Sequence, residues 1–341
     1  MLHRNCINYS NIYKIIILRK NYLSVKLQTT QVNHIFWIIC LAVICSIALN
    51  AIFIHVAAGI LPDLPGWHFA HMTNKAPSPL QYRWLSYWLP SILIEAGGDP
   101  VYVYLIFRTA YLCASLIFIG LIAKAIAKEN TASTTIILAF SMFYAASTQA
   151  HFQFAEEPNI LVYSAFIWLL VVSANFIPIF AVFLFGSLVK DTVGFLIPFY
   201  FLYSLMNKGW LYSFATTCIL SLSFLTVYFG VRQYFGTDRD YLGGLWQYQE
   251  NFRYFFCRPD KGVMWMVASV FPMIYLLINL ESVPLIVKCF FPSAILFIIG
   301  HLLISRIEEF RTYAPLAILL WSATLAVASR YCGSAQHGRA G

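Results

Sequence analysis

Long apolar runs separated by short polar breaks set the plan of this chain. They occupy about residues 35–60, 101–123, 133–150, 158–174, 176–189, 192–206, 210–230, 262–280, 284–304 and 313–329. Several reach the ~20 residues needed to cross a hydrocarbon core of ~30 Å. Lipid offers no partner to a backbone amide, so such runs must be helices or barrel strands. They are continuous rather than alternating, which excludes the barrel. The expected fold is all-α: a polytopic transmembrane bundle of about nine or ten membrane helices, with short interfacial helices in the outer loops. The runs flanking Lys190-Asp191 read either as two crossings or as one broken helix, which would reverse everything downstream.

Composition agrees with this plan. The chain has 341 residues, 60% of them apolar and 11% charged, whereas a soluble domain carries about 25% charged residues. Three regions are expected: a basic arm at 1–34, one transmembrane helical domain at 35–330 and a short polar tail at 331–341. The net charge of +8 reads as topogenic, because cytoplasmic loops collect Lys and Arg. No nucleic-acid partner is expected. With the N-terminus in the cytoplasm and ten crossings, eleven Lys/Arg and two acids fall on the cytoplasmic side. Ten Lys/Arg and twelve acids fall outside, and Arg108 lies within a helix. Acids have little influence on insertion, so their segregation points to a working face on the outer side. The eight cysteines show no metal-ligand spacing. No disulfide, metal or other cofactor is expected.

The first outer stretch, Leu61–Pro90, holds Asp63, His68, His71, Tyr82, Arg83, Trp67, Trp84 and Trp88. Asp63 follows the first apolar run, where a carboxylate at the interface can take a proton from an attacking hydroxyl. His68 and His71 have no third ligand nearby. Glu156-Glu157 could supply a base whose pKa is raised by its neighbour's charge, or could be an exposed, uncoupled pair. Lys190-Asp191 interrupts apolar sequence on both sides, either as a snorkelling turn or as a lysine that grips a lipid phosphate. Arg306 and Arg311 either pair locally with Glu308 and Glu309 or hold a phosphate with a forked guanidinium. The long loop at about 231–261 mixes aromatics with charges, as an interfacial element does.

Three segments together carry a resemblance: Asp63 with Leu-Pro-Gly-Trp-His-Phe-Ala behind it, Pro79-Leu80-Gln81-Tyr82-Arg83, and Gly97-Gly98-Asp99 leading to Arg108. Over about 61–108 the chain resembles the GT-C class of polytopic glycosyltransferases, which use lipid-linked sugars. The resemblance implies Asp63 as general base, with Glu156 or Glu157 assisting. By placement, outer basic groups such as Lys190, Arg306 and Arg311 would then face the lipid phosphate, and Tyr82, Arg83 and Asp191 join them as candidate substrate contacts. The expected partners are membrane lipid and a polyprenyl-phosphate-linked sugar donor, and the expected location is a bacterial inner (plasma) membrane. The chain departs from the class in having Leu64, not a second acid, after Asp63, and no large soluble C-terminal domain. A transporter or flippase for a lipid-linked or amphipathic substrate, or a non-catalytic assembly subunit, is the alternative.

Overall fold

The computed structural model describes residues 9–73, 75–76, 82–147, 154–236, 249, 251, 253, 257, 262–263, 265–304 and 310–337. Within those ranges, side chains are described from Val32 to Leu303 and from Thr312 to Arg330. All regular structure among the described residues is helical. The helices are α1 (Tyr9–Val56), α2 (Leu64–Met72), α3 (Trp84–Glu95), α4 (Pro100–Ala127), α5 (Asn130–Ser147), α6 (Glu156–Val171) and α7 (Phe176–Val189). There follow α8 (Leu196–Lys208), α9 (Trp210–Phe235), α10 (Phe271–Ile278, continuing a π-helical turn at Met266–Val270), α11 (Leu285–Ile304) and α12 (Ala314–His337). Among the described residues, four segments are long and apolar enough to cross a membrane: Val32–Val56, Pro100–Ala127, Trp210–Phe235 and Leu285–Leu303.

The first helix starts far earlier than the apolar run that announces it. No Gly or Pro occurs between Tyr9 and Val56, so nothing local stops the polar arm from continuing the helix. α4 starts by local chemistry as well: Asp99 caps it by accepting from Tyr102 N at 3.2 Å, and Pro100 occupies the first turn.

α4 is the axis of the bundle and packs against α1, α5, α6 and α12. Its buried Leu112, Leu116, Ile119 and Ile122 belong to one apolar core with Phe140 of α5, Phe166 of α6 and Ala317, Ala323 and Ala326 of α12. At Gly120 a Cβ would lie 2.8 Å from Ile137 and 3.2 Å from Ile38, so the missing side chain sets how closely α1 and α5 approach α4.

Successive long helices reverse direction. Phe176 at the start of α7 lies 6.0 Å from Tyr200 of α8, and the Tyr203 hydroxyl donates to Leu170 O at the end of α6. The 176–206 region is therefore an antiparallel helix pair, turned by Lys190 and the 3-10 segment Asp191–Phe195. The end at which α1, α5, α7 and α9 finish and α4, α6 and α8 begin is called the upper end.

Gly186 places α7 against α6. A Cβ there would overlap Val162, whose branched side chain has little freedom to move. Gly186→Ala is expected to destabilise the fold by about 1–3 kcal/mol, read as a lowered unfolding midpoint in detergent; an unchanged midpoint would show that the two helices can separate at no cost.

Candidate functional site

The upper end holds two ion pairs that are almost wholly removed from solvent. Both begin in the first turn of α6, where a carboxylate is favoured by the helix dipole. Successive helical residues point about 100° apart, so the adjacent glutamates face different neighbours. Glu157 turns toward α4 and α5: its Oε1 lies 2.6 Å from Arg108 Nη1 and accepts the Tyr144 hydroxyl at 2.8 Å. Glu156 turns toward the end of α7, where Lys190 Nζ reaches both carboxylate oxygens at 2.7 and 2.8 Å. All four charged side chains are 4% exposed or less.

The two carboxylates thus face different partners, each with its own cation. Arg108 lies eight residues into α4, about 12 Å below the start of that helix. Its guanidinium stacks over Phe53 of α1 at 4.0 Å. Arg108 Nε and Nη2 and Glu157 Oε2 meet no hydrogen-bond partner among the described residues. Beside the pairs, Thr192 donates to Asn159 Oδ1 at 3.3 Å, and the Tyr163 hydroxyl donates to Thr192 O at 2.6 Å.

Lys190 has extended backbone, φ −160° and ψ 138°, which sends consecutive side chains to opposite sides. Lys190 therefore points inward to Glu156, and not to the surface where a phosphate-gripping lysine would stand. Asp191 points outward and is half exposed, 3.5 Å from Arg232 Nη2. The Arg232 guanidinium is stacked on Tyr228 at 3.3 Å and on Tyr82 at 4.5 Å. The Tyr82 hydroxyl donates to Gly236 O at 3.0 Å, tying the segment before α3 to the end of α9. Tyr82, Arg83, Ser187, Asp191 and Arg232 share a small cleft with Phe224, Val227, Tyr228 and Val231.

Asp63 closes a 3-10 turn and precedes α2. It is exposed, and its carboxylate has no partner among the described residues. The next residue, Leu64, packs with Tyr87, Tyr104 and Phe154, which brings the turn to the upper end near the α6 start. His68 hydrogen-bonds the Tyr104 hydroxyl at 2.7 Å, and His71 stacks on Tyr87 at 3.5 Å. Burial lowers the pKa of both imidazoles, His71 to about 3, with Arg83 and His68 adding to the fall for His71. Among the described residues no group of three or more His, Cys, Asp or Glu could hold a metal.

Of the residues named from sequence, Glu156, Glu157, Tyr82, Arg83, Lys190 and Asp191 gather at one end, with Asp63 at its edge. Arg311 belongs to the 3-10 turn Phe310–Tyr313, while Arg306 and His151 lie outside the described residues. Arg108, Tyr144 and Arg232 were not named as site residues. A lone arginine inside an apolar run was the available signal, since intramembrane charges are rare without a partner. No family model, curated protein or solved structure matches the chain.

Two outcomes are expected. Glu156→Gln leaves the Lys190 ammonium buried without its counter-charge and should cost about 3–5 kcal/mol, whereas the double change Glu156→Leu with Lys190→Met should recover most of that loss in a detergent unfolding assay. His71 has a folded pKa below its ordinary 6.5, so its packing contributes fully above pH 6.5 and is progressively lost as pH falls toward 3. Hydrogen exchange in α2 should therefore quicken between pH 7 and pH 5, after correction for intrinsic rates, and His71→Phe should flatten that response.

Proposed function

We propose that the protein is a glycosyltransferase-like integral membrane enzyme of the GT-C type. It takes a sugar from a polyprenyl-phosphate carrier on the face of a bacterial plasma membrane opposite a cytoplasmic N-terminus. In this reading ten helices cross the bilayer (α1, α4 to α9, α10 with its π turn, α11 and α12), and α2 and α3 lie at the interface.

The observation that carries the reading is the junction between the 61–108 segment and α6. Arg108, which ends the segment of resemblance, is paired with Glu157, and Asp63, which opens it, stands at the same end of the bundle. Asp63 is the carboxylate suited to accept a proton, because it is exposed and unpartnered among the described residues, while Glu156 and Glu157 are engaged by Lys190 and Arg108. In the proposed step the acceptor hydroxyl oxygen bonds to the anomeric carbon as the bond from that carbon to the carrier phosphate breaks. The bond pair leaves on the phosphate oxygen, steadied by nearby arginine charge, and the hydroxyl proton passes to Asp63. Glu156 and Glu157 assist by holding the floor of the site in place.

A second reading, a flippase for the same class of carrier lipid, is favoured by one feature: the apolar helices α7 and α8 are interrupted at a charged residue. The two readings separate in micelles, where translocation has no meaning and glycosidic bond formation persists.

Asp63→Asn should lower sugar transfer by about 10²-fold or more with the yield of folded protein unchanged; full activity in that variant removes Asp63 from the chemistry. In a cysteine-free background, Asp63→Cys and Asp191→Cys should label from the outer side of intact cells and Lys208→Cys only after permeabilisation. Labelling of positions 63 and 191 from opposite sides would break the shared-site reading.

A further inference from the structure

We infer that the cleft lined by the segment before α3, the end of α7 with Asp191, and α9 is a lateral docking site for a single-chain prenyl monophosphate. Its phosphate would sit at Arg232 and Arg83, and its chain would lie along α9. This deepens the reading above by locating the carrier, and its test reads binding alone.

Three observations carry it. First, α9 contributes Phe224, Val227, Tyr228, Val231 and Arg232 to the cleft. That spacing of three and four residues forms one stripe on the helix, apolar and aromatic for about 12 Å before it ends in an arginine. Second, α9 is the least buried of the four long apolar segments, with 11% of its most apolar window buried. Leu222, Leu225 and Phe229 beside the stripe are exposed, so the groove opens sideways onto the surroundings of the bundle. Third, the charge at its head suits an anion. Among the described residues that line the cleft, Arg83 and Arg232 stand against one acid, Asp191.

The geometry also says how the site would fill. The open volume is about 20 Å³, room for one water and too little for a phosphate. Asp191 occupies the head of the cleft through a long 3.5 Å contact and is 46% exposed. A phosphate would displace that carboxylate and take its place on a guanidinium already held flat between Tyr228 and Tyr82. Arg232 Nη1 also donates to Tyr228 O at 3.3 Å, which leaves Nη2, now facing Asp191, as the arm that would meet a phosphate oxygen. At the foot of the stripe, Phe224 lies against the turn at Gly194, where a Cβ would come within 2.9 Å of the ring. The ring thus forms a flat apolar wall. The stripe is one side chain wide, which suits one prenyl chain better than the paired chains of a phospholipid.

Asp191 competes with the ligand, so the expected signs are opposed. The full-length protein in phosphatidylcholine nanodiscs would be titrated with farnesyl phosphate. Affinity should fall at least about tenfold in Arg232→Ala and rise several-fold in Asp191→Asn. It should recover only in part in Arg232→Lys, which keeps the charge and loses the stacked guanidinium, and be unchanged in Ile219→Ala, which alters the opposite face of the same helix. Farnesol should bind at least about tenfold more weakly. Inorganic phosphate should not compete at matched concentration, which distinguishes a lipid phosphate from a free one. Unchanged binding in Arg232→Ala, weakened binding in Asp191→Asn, or equal displacement by phosphatidylglycerol would overturn the assignment. Should Arg232→Ala fail to fold, Asp191→Asn decides by its sign. Arginine-dependent binding without any sugar transfer would leave this site standing and remove the enzyme; transfer with arginine-independent binding would do the reverse.

Discussion

Two carboxylates in the first turn of α6 hold the upper end together. Each is buried, and a buried ion costs several kcal/mol unless its partner and its remaining hydrogen bonds are in place. Glu157 therefore fixes α6 to α4 and α5 through Arg108 and Tyr144, and Glu156 fixes it to the end of α7 through Lys190. Apolar packing alone would let these helices slide, because side chains of similar size exchange at little cost. A charge pair permits one register. The positions of Asp191 and of everything that faces the cleft follow from that register.

The helical layout was largely visible in the sequence. Apolar runs mark where helices exist, since lipid-like surroundings demand continuous apolar length. Two features lay beyond that signal. The extension of α1 back to Tyr9 depends on what does not interrupt a polar arm, and apolarity is silent about that. The reversal at Lys190 depends on which helix Phe176 and Tyr203 touch, and no local pattern encodes a contact with a distant turn.

The site was legible by residue type and not by pairing. Glu156, Glu157, Lys190 and Asp191 attracted notice because charge is scarce in such a chain. Their roles depend on partners separated by tens of residues: Lys190 is 34 positions from Glu156, and Tyr82 is 154 from the carbonyl it binds. Glu156-Glu157 looked like either a coupled pair or a solvated one, and the helical turn makes it neither. Helix periodicity could have warned of that, since adjacent residues on a helix do not share a face. Arg108 stood out as a lone charge, and its partner lay in a segment that reads as a loop.

The unequal lengths of the helices have a mechanical consequence. α4 measures about 42 Å and α7 about 21 Å at 1.5 Å per residue, against a hydrocarbon thickness of about 30 Å. In the proposed ten-crossing reading, a bilayer in contact with α7 and α8 would thin locally, while beside α4 it would not. Such mismatch costs fractions of a kcal/mol per ångström, which would bend the adjoining leaflet toward the upper ends of these short helices. Headgroups and water would follow the dent. The protein would thus shape its own solvent, lowering the polar boundary to the depth at which Arg108 and Lys190 are anchored.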